Sequence, residues 1–573
     1  MKKKLIFGFI IGLFFSFLWG CVEIDSFETA DRVLSSNLLP KIEVENNIIP
    51  DEVALRYSTK NISEPLPSLD QYPLYAAQPS NTPNTLYLEI YSSAEKANAQ
   101  KEDERWLVDV AEQFNAQKIK VSSGKTIQVG IRNIPSGVAQ RILAAKAAKP
   151  AGYTPSNELW LSLLKRDGIN PILIHPTLLA SNVGIVINNE AKENIAGHGE
   201  LTFKQILDAI LAGKLTIGYT NPFASSTGLN LLYTLFWTAA GHDQGGKPLT
   251  VAELQSPQVR SVFEAFQKQV LITALVTPDL KEIFLREPDK LPAFAVDYLS
   301  YATLKQLPEF QQTTYIPFGV PHNSPLVGFE WNNVEQQQGL KKFAEFATSQ
   351  QMQQLAPPQG KELTDYLQAK KFPTLPSGEV LRTAQSFWKL QKDAGKTVYL
   401  MTVIDTSGSM DGAPLEAVKK GLRIASKEIN PGNYVGLVTY GDRAAEVVPL
   451  GLFDELQHKR FLAAIDNLRA DGATAMYDGM MIGLSKLMEQ KKNNPDGRFY
   501  LLLLTDGQAN MGVTFDEVKE VIEYSGVRVY PIAYGDVNQE ELEAIASLRE
   551  STVKKGTPEN VEDLLKGLFQ TNL

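Results

Sequence analysis

The run Thr397-Val398-Tyr399-Leu400-Met401-Thr402-Val403-Ile404 ends directly in Asp405-Thr406-Ser407-Gly408-Ser409, and this junction limits the fold of the last third of the chain more than any other feature. A β-branched, apolar run of this kind suits a central strand covered on both faces. Asp405, Ser407 and Ser409 alternate along one tight loop, so their three side chains can face one point. Pro414 then opens a helix to about Glu428, followed by a strand over Asn433 to Tyr440 and helices over Lys459 to Leu468 and Met476 to Met488. Phe499 to Leu504 reads as a buried strand ending in Thr505-Asp506-Gly507, Val527 to Ile532 as the next strand, and Glu540 to Leu548 as a helix. That alternation predicts a doubly wound, Rossmann-like α/β domain whose polar strand-end loops converge on the carboxyl edge of the sheet.

Mg²⁺ is a hard ion that takes six oxygens at about 2.1 Å and keeps several waters, so one or two carboxylates with hydroxyls make a fitting cradle. The motif at Asp405 is joined by Gly472-Ala473-Thr474 before a second helix and by Asp506 at the end of a third element. In this order the three motifs resemble the metal-ion-dependent adhesion site of von Willebrand factor type A (vWA) domains, over about Thr397 to the carboxyl terminus. The resemblance implies Asp405, Ser407, Ser409, Thr474 and Asp506 as ligands of Mg²⁺ or another divalent cation such as Ca²⁺ or Mn²⁺. It also implies a protein partner whose carboxylate completes the metal shell. An uncharged, hydroxyl-rich shell leaves the cation electron-poor, which explains why it would seek an anionic oxygen. Asp411, Asp471 and Asp478 flank these loops as solvated or capping residues, and Asp442 stands as a weaker candidate for the rim.

At the other end, Lys2-Lys3-Lys4 precedes the apolar run Leu5 to Trp19, then Gly20 and Cys21, the single cysteine of the chain. The run is shorter than the roughly twenty residues of a spanning helix, so residues 1–21 read as an export signal. Leu18-Trp19-Gly20-Cys21 resembles a bacterial lipobox, which implies lipidation of Cys21. An uncleaved amino-terminal membrane anchor is the alternative; either places the body of the protein in the cell envelope, outside the cytoplasmic membrane. With one cysteine, no intramolecular disulfide can form. Residues 22–84, broken by Pro40, Pro50, Pro65, Pro67, Pro73, Pro79 and Pro83, are expected as a tether or as a strap packed on the next domain.

Strands and helices alternate again over residues 85–355: strands at Leu86–Tyr91, Ile127–Ile131, Val183–Ile187 and Leu215–Tyr219, with helices between. That rhythm predicts βαβ units, a mainly parallel sheet, and ligands beyond the carboxyl ends of the strands. The loops there are rich in hydroxyls: Ser92-Ser93, Pro135-Ser136-Gly137 and Ser225-Ser226-Thr227-Gly228. Helix amino-termini with hydroxyl caps suit an anion or a polar oxygen ligand, although capping alone is what such residues most often do. With Tyr219-Thr220-Asn221-Pro222 and Phe294-Ala295-Val296-Asp297-Tyr298, these loops resemble the type II extracellular solute-binding domains of bacterial transport systems. The resemblance implies a bilobal, periplasmic-binding-protein-like domain with a cleft formed by Ser92, Ser93, Ser136, Ser225, Ser226, Thr227, Asp297 and Tyr298, holding a small anionic or polar solute. A helical connector over residues 356–396 leads to the vWA-like domain at 397–573.

Other functions find little support. The net charge of −9, without a basic stripe beyond the first lysines, offers no footprint for nucleic acid. His175, His198, His242, His322 and His458 are scattered, without zinc-peptidase spacing, and neither a G-x-S-x-G elbow nor a P-loop occurs. The expectation is a membrane-tethered binding protein, not an enzyme, that docks a protein partner through the metal and uses the cleft as sensor or second binding module. The alternative is a solute receptor of a transport or signalling system, with the vWA-like domain as scaffold.

Overall fold

The computed structural model describes residues 23–573 except 61, 63, 65, 80, 81, 245, 536, 549 and 550. Cys21 and the apolar run before it lie outside the described residues. Among the described residues no helix is long and apolar enough to cross a membrane.

Three sheets organise the chain. The carboxyl-terminal sheet runs, edge to edge, Val44–Asn46, Ala444–Leu452, Tyr434–Tyr440, Val398–Asp405, Arg498–Thr505, Arg528–Tyr534, Lys554–Gly556. Val398–Asp405 lies at its centre, parallel to both neighbours and buried along its whole length, as its unbroken apolar run requires. The antiparallel hairpin to Ala444–Leu452 departs from the doubly wound rhythm; it follows from the short turn Gly441-Asp442-Arg443 between two β-branched runs.

Of the two expectations for residues 22–84, a tether or a strap on the next domain, the segment takes a strap-like form, but it packs on the carboxyl-terminal domain. Phe27–Val33 is a helix capped by Ser26, and Ile24, Ala30, Leu34, Leu38 and Ile42 are buried in the core on one face of the carboxyl-terminal sheet. Val44–Asn46 then joins that sheet as an edge strand, parallel to Ala444–Glu446, and Ile49 and Ala54 enter the core on the opposite face. The apolar residues of this segment find partners hundreds of positions away, and that burial outweighs the local breaking effect of Pro40 and Pro50.

The middle of the chain forms two lobes. The first has the sheet Leu74–Tyr75, Thr126–Asn133, Thr85–Ser92, Gly152–Thr154, Leu326–Phe329, Pro171–His175; the second has Thr313–His322, Ser181–Asn188, Ala293–Asp297, Ile217–Thr220, Val270–Ala274. Both are mixed, which corrects the expectation of a mainly parallel sheet. Ser181–Asn188 runs antiparallel to both neighbours, because the chain re-enters each lobe across the hinge. The chain crosses between lobes near 175–181 and 322–326.

The connector helix Gly378–Gln391 packs on both lobes. Toward the first, Arg166 Nε donates to Glu379 at 2.8 Å and Arg382 Nη2 to Asp167 at 3.3 Å; Gly378 sits so close that a Cβ there would meet the Ser162 carbonyl at 2.2 Å. Toward the second, Trp388 Nε1 donates to Tyr219 Oη at 2.7 Å and Gln385 to the Pro222 carbonyl at 2.9 Å. Leu159, Trp160 and Leu163 of the first lobe, the core of the second, and Leu381, Ala384 and Trp388 of the connector share one hydrophobic cluster.

Candidate metal centre and inter-lobe cleft

Asp405 ends the central strand in register with Tyr440, while Ile404 pairs with Leu504, so the loops after two adjacent parallel strands open at the same edge. Asp405 is fully buried. Its Oδ1 accepts from the Ser407 backbone at 2.8 Å and its Oδ2 from Thr505 Oγ1 at 3.1 Å, which fixes the carboxylate in one orientation. Ser407 Oγ and Ser409 Oγ are 3.0 Å apart, and Ser409 Oγ donates to Asp506 Oδ1 at 2.7 Å. Thr474 completes the group: a Cβ on Gly507 would lie 3.8 Å from Thr474 Oγ1 and 4.0 Å from Ser409 Oγ, so both hydroxyls border one small space beside that glycine. The five residues expected from sequence are thus brought together.

Burial pushes the Asp506 carboxyl up to about 6; the bond from Ser409 opposes this and the nearby Asp405 carboxylate adds to it. Two carboxylates and three hydroxyls are a donor set that a hard divalent cation fits. Among the described residues no three or more His, Cys, Asp or Glu side chains are placed to hold a metal ion together, so this set of two carboxylates and three hydroxyls is of a different kind.

The second loop is held by residues whose role sequence spacing did not reveal. Asn510 Oδ1 accepts from the Thr474 backbone at 2.9 Å, and the Asn510 amide returns a bond to the Thr474 carbonyl at 3.2 Å. Asp442, expected at the rim, accepts from the Ala473 amide at 2.5 Å and packs on Gly472, whose φ of +81° brings the loop over it. Asp471 accepts from Gly472 N and Asp478 from Val513 N, both loop-holding bonds.

A cavity of about 330 Å³ lies between the lobes. Of the residues expected there, Ser93, Ser136, Ser225, Ser226, Thr227 and Asp297 line it. Two do not. Ser92 is fully buried behind the cleft and donates to the Ser93 carbonyl, and the Tyr298 hydroxyl turns away to the 358–360 segment, donating to the Pro358 carbonyl at 3.3 Å and accepting from Gly360 N. Ser92 is the last residue of its strand, where side chains alternate between faces, and Tyr298 opens the helix Tyr298–Leu304 behind its cap Asp297. Ser225 caps the helix Ser226–Ala239, and Ser226 Oγ accepts from Trp160 Nε1 across the lobes at 2.8 Å.

Sequence reading missed the charged pairs of the cleft. Lys96 is fully buried and donates to Ser93 Oγ at 2.6 Å and to Glu95 at 3.3 Å; Glu95 also accepts from Ser156 Oγ at 2.7 Å. Burial would raise the Glu95 pKa, but the Lys96 ammonium and the hydroxyls of Ser93 and Ser156 hold it below the usual carboxylate range. His322, one of the scattered histidines, places Nδ1 2.6 Å from Asp297 Oδ2 and lines the cavity.

Comparison with known proteins bears on each region separately. Residues 400–566 match the family model described as von Willebrand factor type A domain. An uncharacterized protein, sll0103, of Synechocystis sp. is 30% identical over 176 residues, which is 30% of this chain and 40% of that protein. Inter-alpha-trypsin inhibitor heavy chain H1 of Homo sapiens is 31% identical over 118 residues, 20% of this chain and 13% of its own length. The chain therefore spans less than half the length of the curated relatives it matches. A periplasmic thiamin binding protein of known structure is 12% identical, with a TM-score of 0.37 over 54% of this chain and 97% of that one. The sheet that carries the donor cluster is that of a von Willebrand factor type A domain, which this chain holds over residues 400–566.

Proposed function

We propose that this is an exported binding protein, tethered to a membrane through Cys21, whose vWA domain holds a divalent cation and docks a carboxylate of a protein partner. The observation that carries the reading is the hydrogen-bonded chain Ser407–Ser409–Asp506, set beside the oriented Asp405 carboxylate and Thr474 at the open edge of the sheet. Ser407, Ser409 and Thr474 would hold Mg²⁺ through hydroxyls, and Asp405 and Asp506 directly or through water. Bound there, the ion supplies an electron-poor position for one more anionic oxygen. Asp442 and Asn510 keep the second loop in place for that contact.

The test uses the intact chain with and without Mg²⁺. Saturation at about a hundred times Kd is expected to stabilise the fold by about 2.7 kcal/mol, read as a rise in melting temperature, and Asp405→Ala should abolish the rise. Capture of partners from an envelope extract should fail in chelator and with Asp405→Ala. Capture that is indifferent to both would overturn the docking role.

The convergence of hydroxyl and acidic residues on the inter-lobe cavity, six of them expected from sequence, favours a second reading for the same chain, a solute receptor in which the vWA domain is scaffold. In that case a small solute binds the cleft with equal affinity in chelator, and capture of proteins does not depend on metal.

A further inference from the structure

The cleft has a charge balance that bears on what enters it. Every ionised group on its walls already has a partner. Glu95 is engaged by Lys96, Ser93 and Ser156; Asp297 accepts from the Leu299 amide at 2.8 Å and from Ser181 at 3.3 Å and faces His322; and Lys101 and Glu104 at the lip pair at 3.1 Å. A compact anion such as sulfate would lie among the carboxylates of Glu95, Glu104 and Asp297, and the lysines beside them among the described residues, Lys96 and Lys101, are already paired, which leaves only the helix amino-termini to offset its charge. A cation would meet carboxylates already satisfied, opposite the positive ends of the helices Ser136–Ala144 and Ser226–Ala239.

What the cleft leaves open is two polar atoms. Among the described residues Ser136 Oγ and His322 Nε2 are buried, border the cavity and have no hydrogen-bond partner within the protein. They come from opposite lobes: Ser136 begins a helix of the first, and His322 ends the edge strand of the second. With Nδ1 turned to Asp297, His322 presents Nε2 as the free nitrogen, and the Ser136 hydroxyl both donates and accepts. Between them the wall carries apolar surface from Pro135, Leu275, Val276 and Pro278. A buried polar atom left unpaired by the protein is unfavourable, so a ligand that pairs both atoms gains those hydrogen bonds.

We propose that the cleft binds a small uncharged solute carrying hydroxyl or amide groups, of the size and polarity of a monosaccharide, held between Ser136 and His322. This rests on the reading of the cleft as a binding module and names its ligand class. It narrows the anionic-or-polar expectation from sequence to the uncharged half. The cavity volume, at the lower end of the range for small-molecule sites, matches a single ring.

The experiment is calorimetric titration and thermal shift on the intact chain with N-acetylglucosamine and myo-inositol, against sulfate, phosphate and putrescine. The expected result is binding of at least one uncharged probe and of none of the ions. Ser136→Ala should weaken that binding about ten-fold, the scale of one buried hydrogen bond. It should leave the melting temperature of the ligand-free protein unchanged, because the hydroxyl has no partner to lose. That pairing of outcomes separates a ligand contact from a structural serine. Binding of sulfate, phosphate or putrescine that Ser136→Ala weakens would overturn the ligand class while leaving the cleft a binding site. Binding of no probe at all would overturn the ligand class and the cleft reading together.

Discussion

At the scale of single residues, the candidate metal centre was legible because its parts are local. Asp405, Ser407 and Ser409 share one loop, and an apolar strand before them fixes where that loop opens. What holds the second loop was not legible, since Asn510 and Asp442 reach Thr474 and Ala473 from distant segments. Gly472 shows the dependence. Its φ is +81°, and a Cβ there would lie 2.5 Å from Asp442 Oδ1. Gly472→Ala is expected to cost about 2 kcal/mol in urea denaturation and to weaken Mg²⁺ binding; an unchanged midpoint would show that the loop does not rest on this contact. His458 offers a pH test. Burial lowers its pKa from 6.5 to about 4, with Ser426 Oγ 2.8 Å from Nε2. The unfolded chain then binds the proton more readily, so stability is full above about pH 6.5 and falls as pH drops toward 4. Allowing for partial exposure, the loss between pH 7 and 5 should be about 1 kcal/mol and should shrink in His458→Gln. Equal pH slopes for the two proteins would refute it.

Among the elements, the amino-terminal segment is where sequence and structure part. Its prolines read as breakers, yet Ala30, Leu34 and Leu38 recur at helical spacing and are buried against the carboxyl-terminal domain. The signal was present, but its partner surface could not be seen from one end of the chain. Leu34→Ala is therefore expected to lower the stability of the vWA domain by about 2–5 kcal/mol, as for a core leucine. A loss below about 0.5 kcal/mol would mean that the segment is a loose tether after all. The strand Ala444–Leu452 was missed for a different reason: its partner is the preceding strand in an antiparallel hairpin, against the parallel rhythm around it.

For the whole molecule, the connector helix joins the two lobes and also meets the vWA domain, where Asn430 Nδ2 donates to the Lys389 carbonyl at 2.7 Å. The carboxyl-terminal helix Val561–Asn572 adds to this, since Asn221 Nδ2, on the loop before Ser225, donates to Gln570 at 2.9 Å and Thr571 at 3.2 Å. Freely hinging lobes would have to break the cluster that joins Trp160 to Trp388. Gly378→Val drives a side chain against the Ser162 carbonyl and should part the connector from the first lobe. Spin labels at Lys101 and Val276 on opposite lips of the cleft, in a Cys21→Ser background, should give one narrow distance in the parent and a broader, longer one in the variant. Identical distributions would show that the connector is not what holds the lobes.

The sequence by itself determined the α/β class, the place of the vWA domain and the loops that carry the five candidate residues, because periodicity and strand-end loops are set by neighbours in the chain. Only the tertiary structure decided that the amino-terminal segment belongs to that domain, that the lobe sheets are mixed, and that Glu95, Lys96 and His322 share the cleft. Those outcomes rest on burial and charge pairing between residues far apart in the chain, which no local pattern encodes.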